Sequence, residues 1–90
     1  MKVVDFTFNG AVIAYAGIDY DIRGNIRDYV YDSWVYQDGY WWVGGRLSDA
    51  TRHLTTHEFQ THLDKLEKEW NVIPHFLGIV KPTGELIVTI

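Results

Sequence analysis

The chain contains no cysteine. Disulfides, thiolate metal sites and a cysteine nucleophile are therefore excluded, and a reducing compartment is the expected setting. Basic residues are scarce as well: eight Lys and Arg stand against twelve Asp and Glu, for a formal net charge of −4. A nonspecific grip on nucleic acid needs a basic stripe, so direct nucleic-acid binding is not expected. No apolar run approaches the ~20 residues of a membrane-spanning helix. The segment MKVVDFTFNG carries one Lys and then Asp5, without the apolar stretch of a leader. The expected location is the cytoplasm of the producing or host cell, with no membrane association.

Catalytic signatures are missing too. Ser33 and Ser48 lie outside any G-x-S-x-G elbow, and VGGRLSD (43–49) lacks both the spacing and the lysine of a phosphate loop. No catalytic residue, metal or cofactor is assigned, and the chain is read as a nonenzyme.

Aromatic residues, by contrast, are plentiful, at 16% of the 90 residues. A chain this short folds as one domain, here 1–90, and buries a smaller share of its surface than a larger protein does. Each aromatic side chain hides roughly 150–250 Å², which helps a small core reach stability. The stretch DYVYDSWVYQDGYWWVGG (28–45) alone holds four tyrosines and three of the four tryptophans.

Turn and period signals divide the chain into three hairpins and a helix. Asn9-Gly10, between two alternating runs, predicts a type I′ turn pairing Phe8 with Ala11, Phe6 with Ile13 and Val4 with Tyr15. Residues 18–27 give the weakest pattern. A turn at Gly24-Asn25 would set Asp21 opposite Asp28, an unfavourable like-charge pair, so the stretch reads as a loop with at most a short strand. Asp38-Gly39 predicts a second I′ turn pairing Tyr36 with Trp41, Val35 with Trp42, Trp34 with Val43 and Val30 with Leu47. Strand alternation then puts Val30, Asp32, Trp34, Tyr36, Trp41, Val43 and Leu47 on one face. Tyr31, Ser33, Val35, Gln37, Tyr40, Trp42 and Arg46 take the other.

Thr55 and Glu58 form a capping box, with Leu54 and Phe59 as a hydrophobic staple. Phe59, Leu63, Leu66 and Trp70 follow at helical spacing, which predicts a helix over about residues 56–71, closed by Asn71 and Pro74. In the tail, Pro82 and Gly84 fit a type I turn followed by a left-handed residue. Alternation there places Leu77, Ile79 and Ile87 on one face, and Phe76, Val80, Leu86, Val88 and Ile90 on the other. The sum is an α+β fold: an antiparallel sheet of about five to six strands in three hairpins, with one helix packed on one face, in the order β-β-β-β-α-β-β.

Two clusters carry possible chemistry. His53 and His57 stand at i,i+4 spacing, which on a continuous helix would aim both at one metal. The non-helical cap at Thr55 separates them, so no metal site is expected, and His62 is placed beside Glu58 at the edge of the core. Asp19, Asp21, Asp28, Asp32 and Asp38 make one segment acidic, which suits a basic partner surface. The resulting reading is a small noncatalytic binding or inhibitor protein. Its interface is Tyr31, Tyr40, Trp42 and Arg46, rimmed by Asp28, Asp32 and Asp38, and it blocks a protein partner with a basic surface. Size and acidity suit a phage or mobile-element protein acting against a host factor, or an immunity protein. Two other readings are a homodimer, burying the same face or the C-terminal hairpin, and a module binding a nucleotide or metabolite between helix and sheet.

Overall fold

The computed structural model describes residues 1–43 and 53–88, with all their side chains except those of residues 19 and 28–30. Six strands form one antiparallel sheet: β1 (Ala11–Tyr20), β2 (Ile26–Gln37), β3 (Tyr40–Val43), β4 (His53–Leu54), β5 (Ile73–Val80) and β6 (Leu86–Val88). Their order across the sheet is β4-β3-β2-β1-β5-β6. Among the described residues one α-helix, α1 (Thr56–Trp70), packs on one face. This is the expected α+β class, an antiparallel sheet of six strands with a helix on one face, although one of the three expected hairpins is not formed.

Local chemistry fixes both ends of the helix. The Thr55 side chain accepts from the Glu58 amide at 3.2 Å, and the Glu58 carboxylate accepts from the Thr55 amide at 3.0 Å. These bonds satisfy donors that the first turn leaves unpaired. At the other end Asn71 adopts the left-handed conformation, φ 53°, that a non-glycine C-cap requires. The apolar stripe of α1 buries Phe59 and Leu63 completely, with Leu66 and Trp70 at its margin. It meets Ile13, Tyr15, Trp34, Trp41 and Val43 from the sheet. Phe59 sits between the two tryptophans, its ring centroid 4.6 Å from Trp41 and 5.1 Å from Trp34. Among the described residues, the buried indole N–H groups of Trp34 and Trp41 have no hydrogen-bond partner.

His62 also reaches into this interface. Its Nε2 is 3.4 Å from the Tyr15 hydroxyl, and its ring lies 5.7 Å from Trp34. The Glu58 carboxylate is engaged by the cap.

The Asp38-Gly39 hairpin has the expected register, Trp34 with Val43, Val35 with Trp42 and Tyr36 with Trp41. Both turn residues have positive φ, 54° and 85°, as a type I′ turn needs. The predicted pair Val30–Leu47 reaches beyond the described residues.

The first hairpin is different. Residues Val3–Phe6 form a 3-10 turn, and Asn9-Gly10 does not reverse one strand onto another. Only Gly10 enters the positive-φ region, at 93°, whereas a type I′ turn needs two such residues. Gly10 instead leads into β1, donating to the Tyr36 carbonyl at 2.8 Å and accepting from the Val80 amide at 2.7 Å. Both edges of β1 are filled, by β2 and β5, so residues 2–8 have no edge to pair with. They pack under the helix: Val3 is buried and Phe6 stacks on Phe76 at 5.0 Å. The Gln60 side chain holds them, accepting from the Val3 amide at 2.8 Å and donating to the Met1 carbonyl at 2.7 Å.

The stretch read as a loop instead ends β1 at Tyr20 and begins its partner β2 at Ile26, and it supplies the turn between them. A three-residue turn, Ile22 to Gly24, lets the Asp21 amide meet the Asn25 carbonyl at 2.8 Å. One Asp21 carboxylate oxygen accepts from the Arg23 and Asn25 amides, both at 2.9 Å. Such an Asx-type arrangement makes the acidic residue a turn former. The longer turn changes the register, so Asp28 pairs with Asp19 and not with Asp21.

The tail hairpin turns as expected, with Gly84 at φ 87° and its amide donating to Lys81 at 2.8 Å. Ile79 shares a face with Ile87, and Val80 and Leu86 share the other with Val88, as expected, but a β-bulge changes the assignment of Phe76. Val12 pairs with Gly78 while Ile13 pairs with Phe76, which leaves Leu77 as the extra residue. The bulge brings Phe76 and Ile79 to the helix side together, opposite Ile13 and Ala11. Gly78 fits here because a Cβ would run into the Ile87 carbonyl.

Candidate functional site

The face opposite α1 has a different character. Alternation along β1 sends Val12, Ala14, Ala16, Ile18 and Tyr20 to it, away from buried Ile13 and Tyr15. Cross-strand pairs extend the row: Val12 with Val35, Ala14 with Ser33, Ala16 with Tyr31 and with Ile73, Tyr20 with Ile26. Small alanines in the centre keep this surface low, and larger residues stand around them. Tyr31 is 71% exposed and Ile73 76%. Ile18, Tyr20 and Ile26 are exposed as well, and Ile22 at the tip of the β1–β2 hairpin is fully so.

A groove of about 530 Å³ opens on the same face. Val12 and Val35 floor it, Tyr31 and Leu77 flank it, and Pro82 and Leu86 of the β5–β6 hairpin line its far side. The bulge at Leu77 supplies one wall, which strand alternation alone does not foresee.

Tyr40 and Trp42 lie on β3 on this same face, since Trp42 pairs with Val35 and Trp41 points into the core. His53 of β4 pairs with Trp42, and the three rings pack together. Its ring is 4.6 Å from both Tyr40 and Trp42, and those two stand 6.5 Å apart, edge to face. The Trp42 indole N–H donates to the Gln37 carbonyl at 2.9 Å, so the half-buried ring is held in one orientation. Tyr40 remains 40% exposed. The i,i+4 spacing with His57 does not foresee this packing of His53. The signal for it was the i,i+1 sequence His53-Leu54 before the cap, whose Leu54 turns inward and leaves His53 to the other face.

The expected interface residues thus divide. Tyr31, Tyr40 and Trp42 share the helix-free face. Arg46 lies outside the described residues, as does the side chain of Asp28. Asp38 occupies the turn at the end of the face, where its amide donates to the Asn9 side chain at 3.3 Å. Asp32 does not rim this face: it pairs with the inward Tyr15, and its carboxylate accepts from the Ser33 amide at 2.8 Å. The parity that buries Trp34 two residues later also carries Asp32 to the helix side.

The electrostatics of the described residues add one perturbed group. The Glu58 carboxyl is held below its ordinary value, first by the bond from the Thr55 amide and then by the Thr55 hydroxyl, with smaller contributions from His53 and His57. This is capping chemistry at an exposed helix terminus. Among the described residues no three His, Cys, Asp or Glu side chains converge on a metal position. No described helix is long and apolar enough to cross a membrane. Compared with protein-family models, curated proteins and solved structures, the chain matches none.

Proposed function

We propose that this chain is a noncatalytic binding protein whose helix-free sheet face seats against another protein and blocks it. One observation carries the reading: among the described residues, exposed apolar and aromatic side chains, among them Tyr40, Tyr31, Ile73, Ile18, Tyr20 and Ile22, run along this face around the buried Val12 and Ala14. Contiguous apolar surface of more than a few hundred Å² is uncommon on monomeric proteins and marks interaction sites. Tyrosine and tryptophan are also the side chains that concentrate interface energy. Asp32 lies on the helix side, paired with Tyr15, and adds no charge to this face. The interface is therefore read as aromatic first, with Asp38 as its acidic margin.

The test is the double substitution Tyr40→Ala with Trp42→Ala, applied to capture of binding proteins from the native host. The wild type is expected to retain a partner and the double variant to lose it, while circular dichroism and the melting profile stay close to wild type. Loss of the fold in the double variant would make these side chains core and remove the reading. A partner held equally by both proteins would do the same. The groove volume falls in the ~300–1,000 Å³ range of small-molecule sites. That supports a second reading, in which a metabolite or nucleotide occupies the open face rather than the helix–sheet interface. Trp42 emission during a ligand titration would report it.

A further inference from the structure

Among the described residues the sheet ends on one side at β6 and on the other at β4, and the two edges differ in sequence. At the far side, β4 is only two residues long, which leaves little backbone to pair. Strand β6 is Leu86, Ile87 and Val88, without a charge, a proline or a bulge, and its residues are between 41% and 51% exposed. Natural edges normally carry one of those devices, or are very short, to prevent pairing with another chain, and β6 with its three described residues has shortness alone. Ile79, beside Ile87 on β5, is 38% exposed too, so the edge is apolar on both faces.

The direction of the unpaired backbone groups follows from the hairpin. The Lys81 amide donates to the Glu85 carbonyl at 2.9 Å, and antiparallel bonding repeats every second residue. The pair Ile79–Ile87 is therefore bonded, and the amides and carbonyls of Leu86 and Val88 point outward, away from β5.

We propose that β6 pairs antiparallel with β6 of a second copy, about a two-fold axis through Ile87. In that register Leu86 faces Val88 of the other copy, and the two share the outward bonds. Ile87 faces its own counterpart as the close, non-hydrogen-bonded pair. No like charges meet among these three pairs, although each chain carries a formal net charge of −4. A register shifted toward the turn would instead place Glu85 against Ile87. Antiparallel pairing of one strand with itself is isologous and closes at two copies, so it consumes the edge without forming a fibre. The axis stands perpendicular to the sheet. It puts both helices on one side of a twelve-stranded sheet and both helix-free faces on the other. This assembly does not depend on what the helix-free face binds, and its test reads oligomeric state alone.

The contact is small, so the dimer is weak and visible at high concentration. Sedimentation from micromolar to millimolar protein is expected to move the mass from 10.5 kDa toward twice that value. Over the same range, hydrogen exchange at the Leu86 and Val88 amides is expected to slow, while the Ile87 amide, bonded within the chain, stays unchanged. Ile87→Lys and Ile87→Glu should each be folded monomers, and mixing them in equal amounts should restore the dimer. A wild type that stays monomeric, with Leu86 and Val88 exchanging fast at every concentration, would overturn the proposal and leave the edge to a strand of another protein. A dimer that survives both single variants would overturn it as well, by placing the contact elsewhere.

Discussion

Trp41 and Trp42 are consecutive residues of one four-residue strand, yet they do opposite work. Trp41 is fully buried, stacked on Phe59 beneath the helix, with its N–H unpartnered among the described residues. Trp42 lies on the helix-free face, its N–H bonded to Gln37 and its ring against His53. The residue type is the same, so the difference comes from strand parity and from what covers each side. Among the described residues the helix covers one face of the sheet, whereas on the other face Val12 and Ala14 are buried and Tyr31, Ile73 and Tyr40 are exposed. Aromatic content alone therefore does not separate core from surface in a protein this small, whereas pairing register does.

The most severe way to break this comparison is truncation. Trp41→Ala or Phe59→Ala should cost about 3–5 kcal/mol, as expected for a large aromatic removed from a core. Trp42→Ala loses one hydrogen bond and partial burial, and should cost about 1 kcal/mol. Urea denaturation of the three variants decides it, and equal costs would show that the second face is covered. Trp41→Phe sharpens the same point. It removes the unpartnered N–H together with some packing, so its destabilisation should fall well below that of Trp41→Ala.

Gly78→Ala comes next, at about 1–3 kcal/mol for forcing a methyl group into packed surroundings. The Cβ would meet backbone, the Ile87 carbonyl, so relief requires β6 to shift. Faster exchange of the Ile87 amide would localise the damage to that edge and leave α1 unchanged.

Thr55→Ala should cost about 1 kcal/mol by removing the N-cap acceptor. The smallest effect is the pH dependence of the same cap. Glu58 titrates lower in the folded chain than when unfolded, so its contribution is complete above the ordinary glutamate value and fades as pH falls through the lowered one. Melting curves collected downward from pH 5 should show this loss in the wild type, and the corresponding slope should be absent from Glu58→Gln.

Features that depend only on neighbours in the chain were legible without coordinates. The Thr55–Glu58 box, the stripe from Phe59 to Trp70, the Asp38-Gly39 turn with its register, and the Pro82–Gly84 turn all rest on local φ values and local hydrogen bonds. From them followed the α+β class, the burial of Trp34 and Trp41, and the placing of Tyr40 and Trp42 on one face. Tertiary structure decided the rest. Asn9-Gly10 has the composition of a hairpin turn, but β2 and β5 already occupy both edges of β1, so the preceding residues go under the helix. The 18–27 stretch becomes a hairpin because a three-residue turn anchored by Asp21 selects a register that a two-residue turn does not offer. Leu77 bulges where β5 meets Val12 and Ile13, which moves Phe76 to the helix side with Ile79. His53 joins Tyr40 and Trp42 only because β4 adds to the sheet edge. A turn is chosen by the few residues that form it, but whether it joins two strands depends on which edges the finished sheet leaves unpaired.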